Sequence, residues 1–145
     1  MSLNVAFQMD HIDTLSISGD TTFALCLEAQ KRGHKIFHYT PDKLTYKNGK
    51  TLSLVEPLQV MDDEDNHFTL GKPFETDFLD IDFVLMRQEP PFNMNYITYT
   101  HLLEHLPKNT RIINNPISVR NAPEKLLVTF FVDLMPETLF SFVVD

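Results

Sequence analysis

The stretch from Arg111 to Phe131 limits the fold of this chain more than any other. Arg111-Ile112-Ile113 reads as a short buried strand, and Asn114-Asn115-Pro116 breaks it, because proline has no N–H to give to a ladder. In an α/β sheet, the point where strand gives way to loop is the carboxyl end, where ligands bind. Pro123 suits the first turn of a following helix, with Asn121 as the nearest capping candidate. Glu124 and Lys125 then fall in that first turn, ahead of the apolar run Leu126 to Val132. A lysine there is slightly disfavoured by the helix dipole and makes sense beside an anion such as a phosphate. The plainer alternative is a solvated lysine on a surface helix.

The rest of the chain alternates strand and helix signals, which predicts an α/β domain with a mostly parallel, Rossmann-like sheet. Val5 to Met9 reads as a buried first strand ending in Asp10-His11. A helix follows from about Thr21 to Arg32, with Asp20 as N-cap and Gly33 as its stop. Lys35 to Tyr39 is the second strand, and this β-α-β unit is expected to be parallel and right-handed. From Pro41 the pattern changes. Leu44-Thr45-Tyr46, Asn48-Gly49 and Thr51 to Val55 predict a hairpin, since a type I′ turn needs positive φ at both central residues. His67 to Leu70 adds a short strand after the acidic loop Met61 to Asp65, and these antiparallel pieces belong at a sheet edge. Ile81 to Met86 is the next buried strand and runs into Arg87-Gln88-Glu89-Pro90-Pro91-Phe92, where two prolines hold the chain extended. Asn93 caps a helix of about Met94 to Leu106. The apolar Leu139 to Val144 closes the chain, and Met1-Ser2-Leu3 reads as a leader.

Composition narrows the function. A chain of 145 residues with 43% hydrophobic and 22% charged residues is large enough for a real core. Its formal charge of −8 argues against a general nucleic-acid binder, which needs a basic face. The single cysteine, Cys26, forbids an intrachain disulfide and fits a reducing cytoplasm. No apolar run approaches a membrane span, and no signal peptide is visible. With only four glycines, none arranged as G-x-G-x-x-G after the first strand, a nicotinamide or flavin dehydrogenase does not fit.

Three predicted strand ends carry candidate site residues: Asp10-His11, Arg87 with Glu89, and Asn114-Asn115. On one edge of a parallel sheet they could form a single pocket. Arg87 is the best of them, because a guanidinium grips a carboxylate in two parallel bonds, as a peptide or amino-acid substrate would require. Other candidates reduce to ordinary structure. His101 and His105 share a helix face without a third ligand, and Asp62 to Asp65 lack the glycine turn of a calcium loop. Cys26 lies among Ala24, Leu25 and Leu27 and reads as a buried small hydrophobe. No G-x-S-x-G or P-loop is present.

Several elements together carry a resemblance. Asn114, Pro116, Ser118, Arg120 and Asn121 form N-x-P-x-S-x-R-N, followed by Glu124-Lys125-Leu126. Upstream stand Met86-Arg87 and Pro90-Pro91-Phe92, Met9-Asp10, Glu28-Ala29-Gln30 and Arg32-Gly33, with Pro136-Glu137-Thr138 near the end. Their order and spacing resemble bacterial glutathione synthetase. The resemblance implies a ligase joining γ-glutamylcysteine to glycine with ATP and magnesium, through phosphorylation of the dipeptide carboxylate. It further implies that Arg87 lies on the dipeptide side, that Lys125 contacts the nucleotide, and that Asn114 helps bind or shape the site. Residues 1–122 would be the substrate-side domain and 123–145 the beginning of the ATP-grasp region. The magnesium carboxylates and the phosphate-covering loop have no counterpart here, so the chain is expected to be inactive alone. The chain departs from the family at His11, where proline is usual, at Asn93, where aspartate is common, and at Pro123.

Two rivals remain at this level: a non-catalytic module that binds a peptide or glutathione, and the same domain of an ATP-grasp ligase with another substrate. Small-molecule substrates, no nucleic acid and no membrane are expected in all of them, and a homo-oligomer is compatible with each.

Overall fold

The computed structural model of the chain describes residues 1–63, 65–141 and 143, and for Glu124 the backbone only. Eight strands form one sheet: β1 (Asn4–Gln8), β2 (Lys35–Tyr39), β3 (Leu44–Lys47), β4 (Lys50–Val60), β5 (Phe68–Leu70), β6 (Phe74–Thr76), β7 (Phe83–Met86) and β8 (Arg111–Ile113). Four helices accompany them: α1 (Thr21–Lys31), α2 (Met94–Leu103), α3 (Pro116–Asn121) and α4 (Glu124–Leu127). The path through the sheet is β3-β4-β2-β1-β7-β8, with β5 and β6 on β4. Pairing among β2, β1, β7 and β8 is parallel, and every pairing of β4 is antiparallel. The sheet is therefore mixed. A parallel centre carries an antiparallel flank grown from the expected hairpin, whose turn holds Asn48 and Gly49 at φ 51° and 81°.

β1 lies at the centre, and its alternating side chains divide the core. Val5, Phe7 and Met9 pack with Phe23 and Cys26 of α1 on one face. Ala6 packs on the other face with Tyr39, Val84, Met86 and Leu103. Burial pushes the Cys26 thiol up to about 12, so it is an inert apolar filler. The expected capping holds where a short polar side chain precedes an apolar run. Asp20 accepts from the amides of Thr22 and Phe23 at 2.6 and 3.0 Å, and Asn93 accepts from those of Asn95 and Tyr96. The Thr51 hydroxyl donates to the Leu102 carbonyl at 2.8 Å and ties the hairpin to α2.

The region after β8 differs from the sequence reading. An extra helix, α3, intervenes: Asn115, ahead of Pro116, caps it by accepting from the Ser118 amide, and Asn121, expected to cap the helix at Pro123, ends α3 instead. The helix expected from Pro123 through Val132 is only α4, with Pro123 at the cap position, followed by 3-10 turns at Val128–Phe130 and Val132–Leu134. Its apolar residues find no core to pack against: Phe130 is 82% and Leu134 85% exposed. Helix periodicity without a face to bury does not propagate, because most helical stability comes from packing. The α2 helix stops at Leu103 rather than Leu106. Leu3 is already tied in, its carbonyl accepting from Lys35 at 2.8 Å. Of the acidic loop Glu64, and of the closing run Phe142 and Val144, lie outside the described residues, and Leu139–Ser141 form no regular element.

Replacing Asp20 by alanine removes an acceptor shared by two orphan amides. Asp20→Ala is expected to cost about 1 kcal/mol of stability, read as a lower midpoint in thermal or urea melts.

Candidate functional site

Register brings the strand ends to one edge. Gln8 pairs opposite both Tyr39 and Met86, and Leu85 opposite Ile113, so the residues that follow each strand emerge side by side. There they surround a cleft of about 360 Å³ whose lining includes Asp10, His11, Thr40, Asp42, Gln88, Glu89, Tyr96 and Tyr99. Its floor is knitted by backbone: the Asp10 carboxylate accepts from the Glu89 amide at 2.8 Å and thereby joins the β1 and β7 loops. The Thr40 hydroxyl donates to the Asp42 carboxylate, and that bond, ahead of nearby Lys43, holds the carboxyl below its ordinary range. The Tyr96 phenol is pushed up by burial first and by the Glu89 charge second.

Beneath the cleft runs a buried polar chain. The Tyr39 hydroxyl donates to Gln8 Oε1 at 3.0 Å, and Gln8 Nε2 donates to Gln88 Oε1. Burial pushes the Tyr39 phenol far up, so it stays a donor at any working pH. His38 completes the support. Its Nε2 lies 3.3 Å from the Asp10 carbonyl, and its Nδ1 has no hydrogen-bond partner among the described residues, with Glu56 Oε2 at 3.5 Å. Burial, which outweighs the bond to Asp10 and the Glu56 charge, holds the imidazole below its ordinary value.

The structure brings Asp10 and Glu89 together and sends Arg87 elsewhere. In β7 and its extension, side chains alternate, so Gln88 follows Met86 to the α2 face while Arg87 turns to the α1 face. Arg87 Nε donates to Thr22 Oγ1 at 3.0 Å and Nη2 to Thr21 Oγ1 at 2.6 Å, so the guanidinium sits over the start of α1. Asn114 follows β8 on the same edge but does not line the cleft. Lys125 lines a second, more apolar cleft of about 540 Å³ with Pro90, Pro91, Phe92, Tyr96 and Val119. The double proline and Tyr96 thus form the wall between the two clefts. Arg120, whose Nη1 meets both the Thr100 hydroxyl and the Glu104 carboxylate, clamps α3 to α2 and sets the far side of that second cleft.

Sequence reasoning missed Gln8, Tyr39, Thr40, Asp42 and Gln88. One signal was available: Gln8 is a polar residue inside an otherwise apolar strand, and a buried amide there requires partners. Among the described residues no three His, Cys, Asp or Glu side chains come together to hold a metal ion. No helix of those residues is long and apolar enough to cross a membrane.

An open α/β sheet whose parallel strands end in a polar cleft defines a Rossmann-like domain. The profile described as "Prokaryotic glutathione synthetase, N-terminal domain" matches residues 3–120, and the chain belongs to this family. It is 55% identical over 141 residues to the glutathione synthetase of Mesorhizobium japonicum, covering 97% of this chain and 45% of that protein. With the glutathione synthetase of Brucella melitensis the identity is 57% over the same coverage. With that of Shewanella oneidensis it is 36% over 140 residues. The chain spans about 45% of the length of the first two of these curated relatives.

The buried, neutral His38 links stability to pH. Its pKa is lowered in the fold, so the unfolded chain binds the extra proton first as pH falls. The stability contribution is full above the unfolded value of about 6.5 and is lost as pH drops toward the folded value. The melting midpoint is expected to fall between about pH 7 and pH 5, and His38→Gln to flatten that slope. Carboxylates held low, such as Asp42, make their losses below about pH 4 and leave this window clear.

Proposed function

We propose that this chain is the substrate-side part of a glutathione synthetase-type ligase, which joins γ-glutamylcysteine to glycine at the expense of ATP. The observation that carries the reading is a family match that runs through the strand-end loops forming the polar cleft. In this reading the dipeptide carboxylate takes the γ-phosphoryl group of ATP, releasing ADP. The glycine amine then attacks the acyl carbon and phosphate leaves. Arg87 holds a substrate carboxylate with the guanidinium edge that Thr21 and Thr22 leave open, Asp10 and Glu89 line the dipeptide cleft, and Asn114 shapes the loop beside it. Residues 1–122 form the substrate-side domain, and 123–145 begin the nucleotide-binding region.

For ATP, the group this reading relies on among the described residues is Lys125. Lys125 presents a mobile point charge beside an apolar cleft and suits a phosphate oxygen. Magnesium finds no donor set among the described residues. Stabilising an acyl phosphate requires more charge than one lysine supplies. The chain alone is therefore read as inactive, its apolar residues from Leu126 to Leu134 exposed where further protein would cover them. The need for ATP supports a cytoplasmic location for the ligase, and the single cysteine of this chain agrees with it.

The test is a transplant. This chain alone, given γ-glutamylcysteine, glycine and Mg-ATP, is expected to form no glutathione. Put in place of the matching segment of the Brucella melitensis protein, it is expected to restore glutathione formation. A folded chimera without ligase activity overturns the reading. Within an active chimera, Arg87→Ala is expected to weaken dipeptide use by about 2 to 5 kcal/mol, with Arg87→Lys recovering only part. A lower melting point with unchanged kinetics would instead reduce Arg87 to a staple on Thr21 and Thr22.

A further inference from the structure

We propose that Gln88 is a specificity-determining residue of the strand-end cleft. Its side-chain amide donates to the α-carboxylate of the γ-glutamyl end of the dipeptide, while the Asp10 and Glu89 carboxylates take the α-ammonium beside it. The inference rests on the ligase reading above and names which end of that substrate the cleft holds.

The orientation of the Gln88 amide follows from the chain beneath it. A buried hydroxyl proton needs an acceptor, and for Tyr39 that acceptor among the described residues is Gln8 Oε1. Gln8 must then turn its Nε2 toward Gln88, and Gln88 must answer with Oε1. Reversing either amide would set two donors or two acceptors face to face. The Gln88 Nε2 is left on the cleft side, where no acceptor among the described residues meets it and where the residue, otherwise mostly buried, reaches solvent. A donor held in one orientation at the cleft surface is set to meet an oxygen of a ligand there.

The charges around it specify the rest. Among the described residues, Asp10, Asp42 and Glu89 line the cleft and no lysine or arginine does. Asp10 spends one oxygen on the Glu89 amide and Asp42 one on the Thr40 hydroxyl, and each keeps further lone pairs. Such a site repels a bare carboxylate and favours a group carrying its own positive charge. An ammonium and a carboxylate on one carbon meet both demands: the ammonium lies against Asp10 and Glu89, and the carboxylate oxygen accepts from Gln88. The γ-glutamyl end of γ-glutamylcysteine carries that pair. Arg87, on the opposite face of the same loop, remains for a second carboxylate.

Two trimmed ligands separate the contacts. Glutarylcysteine lacks the ammonium and 4-aminobutyrylcysteine lacks the α-carboxylate. In a ¹⁵N NMR titration of this chain, γ-glutamylcysteine is expected to shift the Gln88 side-chain amide signals, and each trimmed ligand to bind about tenfold more weakly or worse. Gln88→Glu keeps an acceptor for Gln8 but puts a second oxygen in the donor's place. It is expected to weaken γ-glutamylcysteine at least tenfold and to leave 4-aminobutyrylcysteine no weaker. Should that variant fail to fold, the ligand series on the unaltered chain decides alone. Equal binding of all three ligands overturns the inference, as does saturation with the Gln88 signals unmoved, or no binding up to the solubility limit. The transplanted chimera keeps the two readings apart: with any of those results, an active chimera removes only this assignment, and an inactive one removes the ligase reading itself.

Discussion

The structure depends on β1 being hydrogen-bonded on both edges. A strand paired in parallel to β2 and β7 has no exposed backbone, and its side chains must divide strictly between two faces. That division creates a core under α1 and another under α2, and it sets the register that delivers four loops to one sheet edge. A one-residue slip would carry Phe7 into the α2 face and Gln8 into the α1 core, so the pattern of β1 specifies its partners as well as its own burial.

The same two-residue period separates functions along the β7 extension. Arg87 and Gln88 are chain neighbours, yet one meets the threonines that open α1 and the other meets a buried glutamine under α2. Glu89 then joins the β1 loop, and the double proline turns outward as a wall with a polar cleft on one side and an apolar cleft on the other. Arg120 works at a distance from both, by holding α3 against α2. Among the described residues after α3, the apolar Leu126, Phe130, Val132 and Leu134 lie largely exposed rather than packed.

Much of the architecture was legible because local and tertiary signals agree. Asp20 and Asn93 cap where they were expected, Asn48-Gly49 turns the hairpin, and the four parallel strands lie where buried runs end in polar residues. The reading failed where a residue's role depends on what lies across space. The α3 helix was not foreseen from the sequence, and Asn121, expected to cap the helix at Pro123, ends α3, which Asn115 caps. β6 is too short and too exposed to carry a strand pattern, and it exists because β4 offers it a free edge. In the site, chain proximity suggested that Arg87 and Glu89 work together. Strand alternation puts Arg87 on the α1 face, and the cleft is built with Gln8 and Tyr39, which arrive from two other strands.

The Tyr39–Gln8–Gln88 chain ties together three positions that are far apart in the sequence. Each member is satisfied only by the orientation of the next, so replacing one strands a buried donor or acceptor on its neighbour, while replacing the set with apolar residues strands none. Fitness at these positions is therefore epistatic. A lineage can drift away from this arrangement only by exchanging positions 8, 39 and 88 nearly together, and related proteins would be expected to divide into those that keep the whole trio and those that have dropped it.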